Sequence, residues 1–221
     1  MLRRSGPYRA SASSGNMPRV PKRRPCLVVL GGPNGAGKST AAPALLRDTL
    51  AVTEFVNADT IARGLSGFDP DAAAIGAGRV MLARLDELER EREDFAFEST
   101  LASRSFAPRI ERLRRAGYLA HVVFLWLPSA EMAIARVRER VRRGGHDVPD
   151  ATIRRRFARG LRNFFDLYVP LGDSWRLYDN STAPDPVLIA ETVGDGESKV
   201  HDEETWQEVR ETVKAARRAK A

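Results

Sequence analysis

The sequence is poor in the residues that staple or metallate a fold. It has one cysteine, Cys26, and three histidines in 221 residues. An internal disulfide is therefore excluded, and neither a CxxC pair nor an HExxH helix is available for zinc. A reducing, cytoplasmic setting is the default expectation. Long apolar runs are missing too: the longest, around Cys26–Leu30 and Val122–Leu127, fall far short of the ~18 residues that a membrane span needs. No membrane partner is expected. Acids are absent from residues 1–25, which hold Arg3, Arg4, Arg9, Arg19, Lys22, Arg23 and Arg24. Those seven account for the whole formal charge of +7, because residues 26–221 carry 29 basic and 29 acidic side chains. The excess belongs to a tail, so nucleic acid is not the expected partner of the body.

The tail is rich in Ser, Pro and Arg, lacks apolar periodicity and is expected to be disordered. It lacks the apolar core of a secretory signal and has the composition of an organellar transit segment. Three readings stay open for it: a solvated extension, a targeting segment, or an arm on nucleic acid.

From Cys26 onward, short runs rich in β-branched and aromatic residues alternate with stretches of helical spacing, which predicts an α/β fold with a parallel sheet covered by helices. The runs are Cys26–Leu30, Thr53–Asn57, Phe95–Phe97, Tyr118–Leu127, Trp175–Tyr178 and Pro186–Val193. Several are apolar without alternation, as strands buried on both faces should be. Asp69-Pro70 is placed to open a long helix with Met81, Leu85 and Leu88 on one face. Phe106, Ile110 and Leu113 make a second such face, with Gly117 where a C-terminal cap belongs. Ser129 can cap a third helix, with Ile134, Val137 and Val141 as its buried stripe. A last helix over about 203–220 turns Trp206, Val209 and Val213 inward.

Residues 32–39 read GPNGAGKS, which satisfies G-x-x-x-x-G-K-[ST] at Gly32, Gly37, Lys38 and Ser39. The apolar strand CLVVL precedes it and a helical stretch with Ala41, Ala44, Leu45 and Leu46 follows, so the loop sits at the carboxyl end of the first strand. Glycines let successive backbone N–H groups turn toward one point, and the helix N-terminus adds partial positive charge there. Gly32, Pro33, Asn34, Gly35, Ala36, Gly37, Lys38, Ser39 and Thr40 thus form the candidate ATP cradle. Lys38 is placed to reach the β- and γ-phosphates and Ser39 to ligate Mg²⁺.

The phrase GPNGAGKST also occurs in ABC transporter ATPases, and Leu65-Ser66-Gly67 echoes their signature. That reading fails on spacing, since fewer than thirty residues separate the two segments. It fails on chemistry as well: the strand AHVVFLWLPS ends without the acids that a hydrolytic motor places on Mg²⁺ and water. Two other strands do run into carboxylates, EFVNAD at Asp59 and FAFEST at Glu98, followed by Thr100. In an open α/β sheet ligands bind beyond the carboxyl ends of the strands, so both acids should converge near the γ-phosphate. Phosphoryl transfer to an alcohol needs a group to accept the hydroxyl proton and an in-line geometry held by cations. Asp59 is the candidate base. Glu98 is a candidate for Mg²⁺ or for orienting the substrate hydroxyl, and Thr100 for a donor to substrate.

Residues 136–162 hold ten arginines against Glu139, Asp147 and Asp150. Gly144-Gly145 breaks one helix and Pro149-Asp150 begins another, which predicts a helix-turn-helix lid whose arginines neutralise charge on the transferred phosphoryl group. His146 sits in the hinge. A reading of another class is a nucleotide-dependent nucleic-acid-binding module that hydrolyses ATP slowly.

The loop, VNAD, FEST and the RRGGHDVP-IRRRF segment, in that order over about residues 26–181, resemble the zeta-toxin-like kinases, in particular their short bacterial members. The resemblance implies a three-layer P-loop kinase fold with helices on both faces of the sheet and an Arg-rich helical lid, using ATP and Mg²⁺. Residues 26–221 would form one such domain. The best-known members of that family phosphorylate a hydroxyl of UDP-N-acetylglucosamine and are restrained by a small antitoxin. Matched motif by motif, the resemblance implies Lys38 and Ser39 on phosphate and Mg²⁺, Asp59 as base, and Glu98 and Thr100 at the acceptor. It further implies Arg143 and Arg156 as the lid arginines and Asn180 near the adenine.

Overall fold

A computed structural model describes residues 23–218 apart from 49, 68, 70, 71, 183, 184, 194 and 195. Residues 1–22 of the basic tail and 219–220 of the expected last helix lie outside the described residues. Five parallel strands carry the fold: β1 (Cys26–Gly31), β2 (Glu54–Val56), β3 (Phe95–Ser99), β4 (Leu119–Trp126) and β5 (Ser174–Asp179). β6 (Val187–Val193) and β7 (Glu197–Val200) extend the sheet, and its order is β2-β3-β1-β4-β5-β6-β7. The sheet is mixed rather than parallel throughout, because β6 and β7 each pair antiparallel with their neighbours. β7 is a mostly exposed, polar ESKV segment, so it leaves no apolar trace in the sequence.

The strands bury both faces, as their unalternating apolar character predicts. Along β1, Leu27 and Val29 face one core and Val28 and Leu30 the other. The first core is closed by α3 (Ala74–Glu91), α4 (Ala107–Arg115), the end of α6 (Asp150–Asn163) and α8 (Glu203–Arg218). Met81, Leu85, Leu88, Ile110, Leu113, Val209 and Val213 supply its helical side. π-helical turns at Phe164–Tyr168 continue α6 into the short α7 (Val169–Leu171). There Phe164, Trp175, Phe165 and Trp206 pack ring to ring, with Trp175 and Trp206 stacked at an interplanar angle of 12°. The second core lies under α1 (Lys38–Ala42), α5 (Ala130–Arg142) and the start of α6.

Local chemistry explains the helix ends. Ser129 caps α5 by accepting from the Met132 N–H, and Gly117, at φ +93°, follows α4 where only glycine is comfortable. α3 begins at Ala74 rather than at Asp69-Pro70: the Asp69 carboxylate accepts from the Ala72 N–H and closes a turn before the helix, while Pro70 lies outside the described residues. Val141 is exposed and not part of the α5 stripe, which consists of Ala133, Ile134 and Val137. α2 (Ala58–Leu65) was not anticipated, and Leu65, which seemed to open an ATPase signature, ends that helix. Among the described residues no helix is long and apolar enough to cross a membrane.

Candidate functional site

β1 is central, with β3 on one side and β4 on the other, so the strand order reverses direction at its carboxyl end. Residues 32–37 leave β1 there. Gly32, Gly35 and Gly37 all have positive φ, at +145°, +77° and +76°. A methyl group at Gly35 would stand 2.6 Å from the Ala133 carbonyl oxygen, and one at Gly37 would stand 2.6 Å from the Asn180 amide nitrogen. The loop is therefore held by conformation and by close neighbours at once. Asn180 Nδ2 also donates to the Ala36 carbonyl at 2.6 Å. Its side chain thus braces the loop, and the place near the adenine that the resemblance implies is a separate expectation.

Lys38 is buried, and its Nζ donates to the carbonyls of Gly32 and Pro33 at 2.9 Å each. Glu98 Oε1 lies 3.5 Å away. Burial pulls the ammonium below the ordinary lysine range, while the charges of Glu98 and Asp59 oppose that shift and Arg140 adds to it. An anion taken up beside Lys38 would relieve the penalty. Next to it, Ser39 Oγ donates to Glu98 Oε2 at 2.8 Å, which joins the loop to the end of β3.

These residues line one cleft of about 530 Å³, shared with Asn34, Asn57, Asp59, Arg63, Ser99, Thr100, Arg136, Arg140, His146 and Arg156. Asp59 reaches it from the first turn of α2, not from the end of β2, and is exposed to the cleft. Thr100 follows β3, and the loop after it is tight: Leu101 is fully buried at φ +55°, and Asn163 Nδ2 donates to the carbonyls of Leu101 and Ala102.

The helical hairpin of α5 and α6 forms the opposite wall. Arg156 donates to Asn34 Oδ1 at 3.4 Å. Arg136 is anchored on the carbonyls of Asn180 and Ser181, both at 2.7 Å, and Arg140 donates to the His146 carbonyl at 2.7 Å. The remaining Nε–H of Arg140 is buried without a partner among the described residues. A buried guanidinium donor without an acceptor costs free energy. Arg143 is not brought into the cleft. Its side chain is 78% exposed and pairs with Glu139 at 2.9 Å, lining an adjoining depression of about 380 Å³ with Arg63, Arg136 and Arg140.

The donors fit a nucleotide triphosphate and its cation. Backbone N–H groups, a buried lysine and four cleft arginines suit phosphate oxygens. Ser39 Oγ and the Glu98 carboxylate are hard oxygen ligands, and Mg²⁺ takes one or two such protein oxygens together with substrate phosphates. Asn57, Arg63, Arg136 and Arg140 were missed in the sequence. Asn57 stands two places before Asp59 in the VNAD phrase, and Arg136 and Arg140 share one helix face at i, i+4 spacing.

Comparison with known proteins bears on the family and the fold. An "Uncharacterized protein" of Haemophilus influenzae is 28% identical over 126 residues, covering 57% of this chain and 88% of that protein. The AvrRxo1-ORF1:-ORF2 complex solved with ATP superposes with a TM-score of 0.62 at 19% identity. The match covers 84% of this chain and 63% of the other, so the chain spans less than two thirds of that neighbour. A structure of the PezAT chromosomal toxin-antitoxin system of Streptococcus pneumoniae superposes with a TM-score of 0.56 at 14% identity, covering 88% of each chain. Residues 27–162, more than half of the sequence, match the AAA domain family. The chain therefore belongs to the AAA domain family, with the α/β sheet and the phosphate-binding loop described above.

Proposed function

We propose that the protein is an ATP-dependent phosphotransferase that moves the γ-phosphoryl group to a hydroxyl of a small acceptor. The observation that carries this reading is the lining of one cleft, which gathers Lys38, Ser39 and Glu98, Asp59 of α2, and Arg136, Arg140 and Arg156 of the hairpin. Asp59 accepts the acceptor's hydroxyl proton as its oxygen bonds to phosphorus. The bond from phosphorus to the β–γ bridging oxygen breaks, and ADP leaves. Ser39 and Glu98 would hold Mg²⁺ together with phosphate oxygens, and the ion would supply neutralisation of the developing charge. Arginines of the α5–α6 hairpin, acting as a lid over residues 136–162, would supply the rest. Residues 26–221 would act as one catalytic domain in the cytoplasm.

On the acceptor side the cleft runs past Asp59 and Thr100 to Arg63 and the basic depression beside it. That charge favours an acceptor that carries anionic groups of its own, and UDP-N-acetylglucosamine is the leading candidate. A small antitoxin is a further candidate partner, supported by the toxin-antitoxin system to which the PezAT neighbour belongs. The test is transfer of labelled γ-phosphate from ATP to a panel of hydroxylated metabolites that includes UDP-N-acetylglucosamine. A labelled acceptor is expected. Release of inorganic phosphate alone, with no acceptor labelled, would replace the phosphotransferase by a hydrolase.

A further inference from the structure

Asn57 joins the two halves of the cleft, and every polar atom of its side chain is used. It is 5% exposed. Its Nδ2 donates to Glu98 Oε2 at 2.6 Å and to Ser39 Oγ at 3.1 Å. On the other side its Oδ1 accepts from the Thr60 N–H at 3.1 Å and so caps α2, while its own carbonyl accepts from the Ile61 N–H at 3.1 Å. Asp59 lies inside the turn that this cap closes. A cap alone asks only for an acceptor, and serine, threonine or aspartate would serve as well. What asparagine adds is an NH₂ group with two donors, and both point away from the helix to the pair of oxygens suited to a cation.

We propose that Asn57 is a positioning residue that couples the Ser39–Glu98 pair to the first turn of α2, so that filling the cation and phosphate site fixes Asp59 for proton transfer. The inference rests on the phosphotransferase reading for the role of Asp59, but the coupling is a property of the fold and is read without turnover. Residues behind metal ligands typically influence cation affinity or activity 10- to 100-fold. Only a residue bonded to both elements can pass that influence on to α2.

Three variants of the full chain separate the two halves of the side chain. Asn57→Asp and Asn57→Ser keep a capping oxygen and lose the donors, and Asn57→Ala loses both. The probe is a non-hydrolysable ATP analogue with and without Mg²⁺. Its affinity is measured by calorimetry, and amide hydrogen exchange is followed in the peptide spanning Ala58–Leu65. In the wild type, Mg²⁺ with the analogue should slow exchange in this peptide several-fold. In Asn57→Ser that protection should disappear, and the gain in affinity from Mg²⁺ should fall by about tenfold or more. Its thermal midpoint should stay near that of the wild type, whereas Asn57→Ala, which loses the cap, and Asn57→Asp, which sets a second carboxylate against Glu98, should melt lower. Asn57→Ser with wild-type protection and Mg²⁺ dependence would reduce the residue to a cap and overturn the proposal, as would a wild-type α2 indifferent to Mg²⁺ and the analogue. Protection without any transfer in the labelling assay would leave the coupling standing and remove the phosphotransferase reading. Transfer with unaltered α2 exchange would do the reverse.

Discussion

Gly160 of α6 lies against the carbonyl of Thr100: a methyl group built on Gly160 would meet that oxygen at 2.4 Å. The helix can approach the segment after β3 this closely only because position 160 has no side chain. Three residues on, Asn163 completes the contact through the carbonyls of Leu101 and Ala102. Gly160→Ala should push α6 away from Thr100. Overpacking of this kind costs about 1–3 kcal/mol, and the loss should appear as a fall in thermal midpoint of about 2–4 °C per kcal/mol for a chain of this size.

Asp59 is exposed at the start of α2, so replacing it disturbs little packing. Asp59→Asn should lower acceptor phosphorylation by about two to four powers of ten, with ATP affinity and melting behaviour close to wild type. Transfer at the wild-type rate would remove the base assignment.

The arginines of the hairpin should divide by their contacts. Arg140 lines the cleft with one buried donor unpaired, and Arg143 stands 78% exposed on Glu139. Arg140→Ala should lower kcat by about 10²- to 10³-fold, whereas Arg143→Ala should change it by less than about threefold. Steady-state kinetics of the two variants decide between them, and an inversion of the order would return the phosphoryl contact to Arg143.

Acid stability should depend on Asp173, which joins α4, β4 and β5. Its carboxylate accepts from Arg114 Nη2 at 2.9 Å and from the Ala120 N–H at 2.8 Å. Partial burial pushes this carboxyl up, but the Arg114 pair and the Ala120 N–H outweigh it and hold the group below the usual range. The unfolded chain therefore binds the proton first as pH falls. Stability from this group is complete above the ordinary aspartate value of about 3.9 and is lost as pH drops through the lower folded value. Asp173→Asn should unfold more readily in urea at neutral pH, and the gap from wild type should close under strongly acidic conditions.

Cys26 is half-buried at the start of β1, and burial raises its thiol to about 11 against the opposing charge of Arg23. At pH 7–8 little thiolate forms. A disulfide-exchange reagent should therefore label the native protein slowly and the urea-unfolded protein fully.

The P-loop was legible because its chemistry demands particular residues in sequence order, and the five parallel strands because burial on both faces demands unbroken apolar runs. Glu98 was legible as an acid near the end of such a run, whereas Asp59 was expected at a strand end and stands in the first turn of α2. Asn57 was not legible: it closes the apolar run Thr53–Asn57, α2 after it leaves no clear signal, and its bonds depend on Ser39 and Glu98, 18 and 41 residues away. Arg140 and Arg143 are alike in sequence, and only the path of α5 across the cleft separates the inward guanidinium from the outward one. Asn180 was found by its motif but not by its contact, since the close approach to Gly37 exists only once β5 lies beside β4.

The hairpin of α5 and α6 is a braced frame. One arm is riveted at Arg136 to the carbonyls of Asn180 and Ser181, the other is seated at Gly160 on Thr100, and Arg138–Asp150 and Arg154–Glu131 tie the arms together. Even the turn between them is strapped, since Arg140 holds the His146 carbonyl at 2.7 Å. The spacing of Arg136, Arg140 and Arg156 around the cleft is thus set by ties within the hairpin and to the rest of the fold.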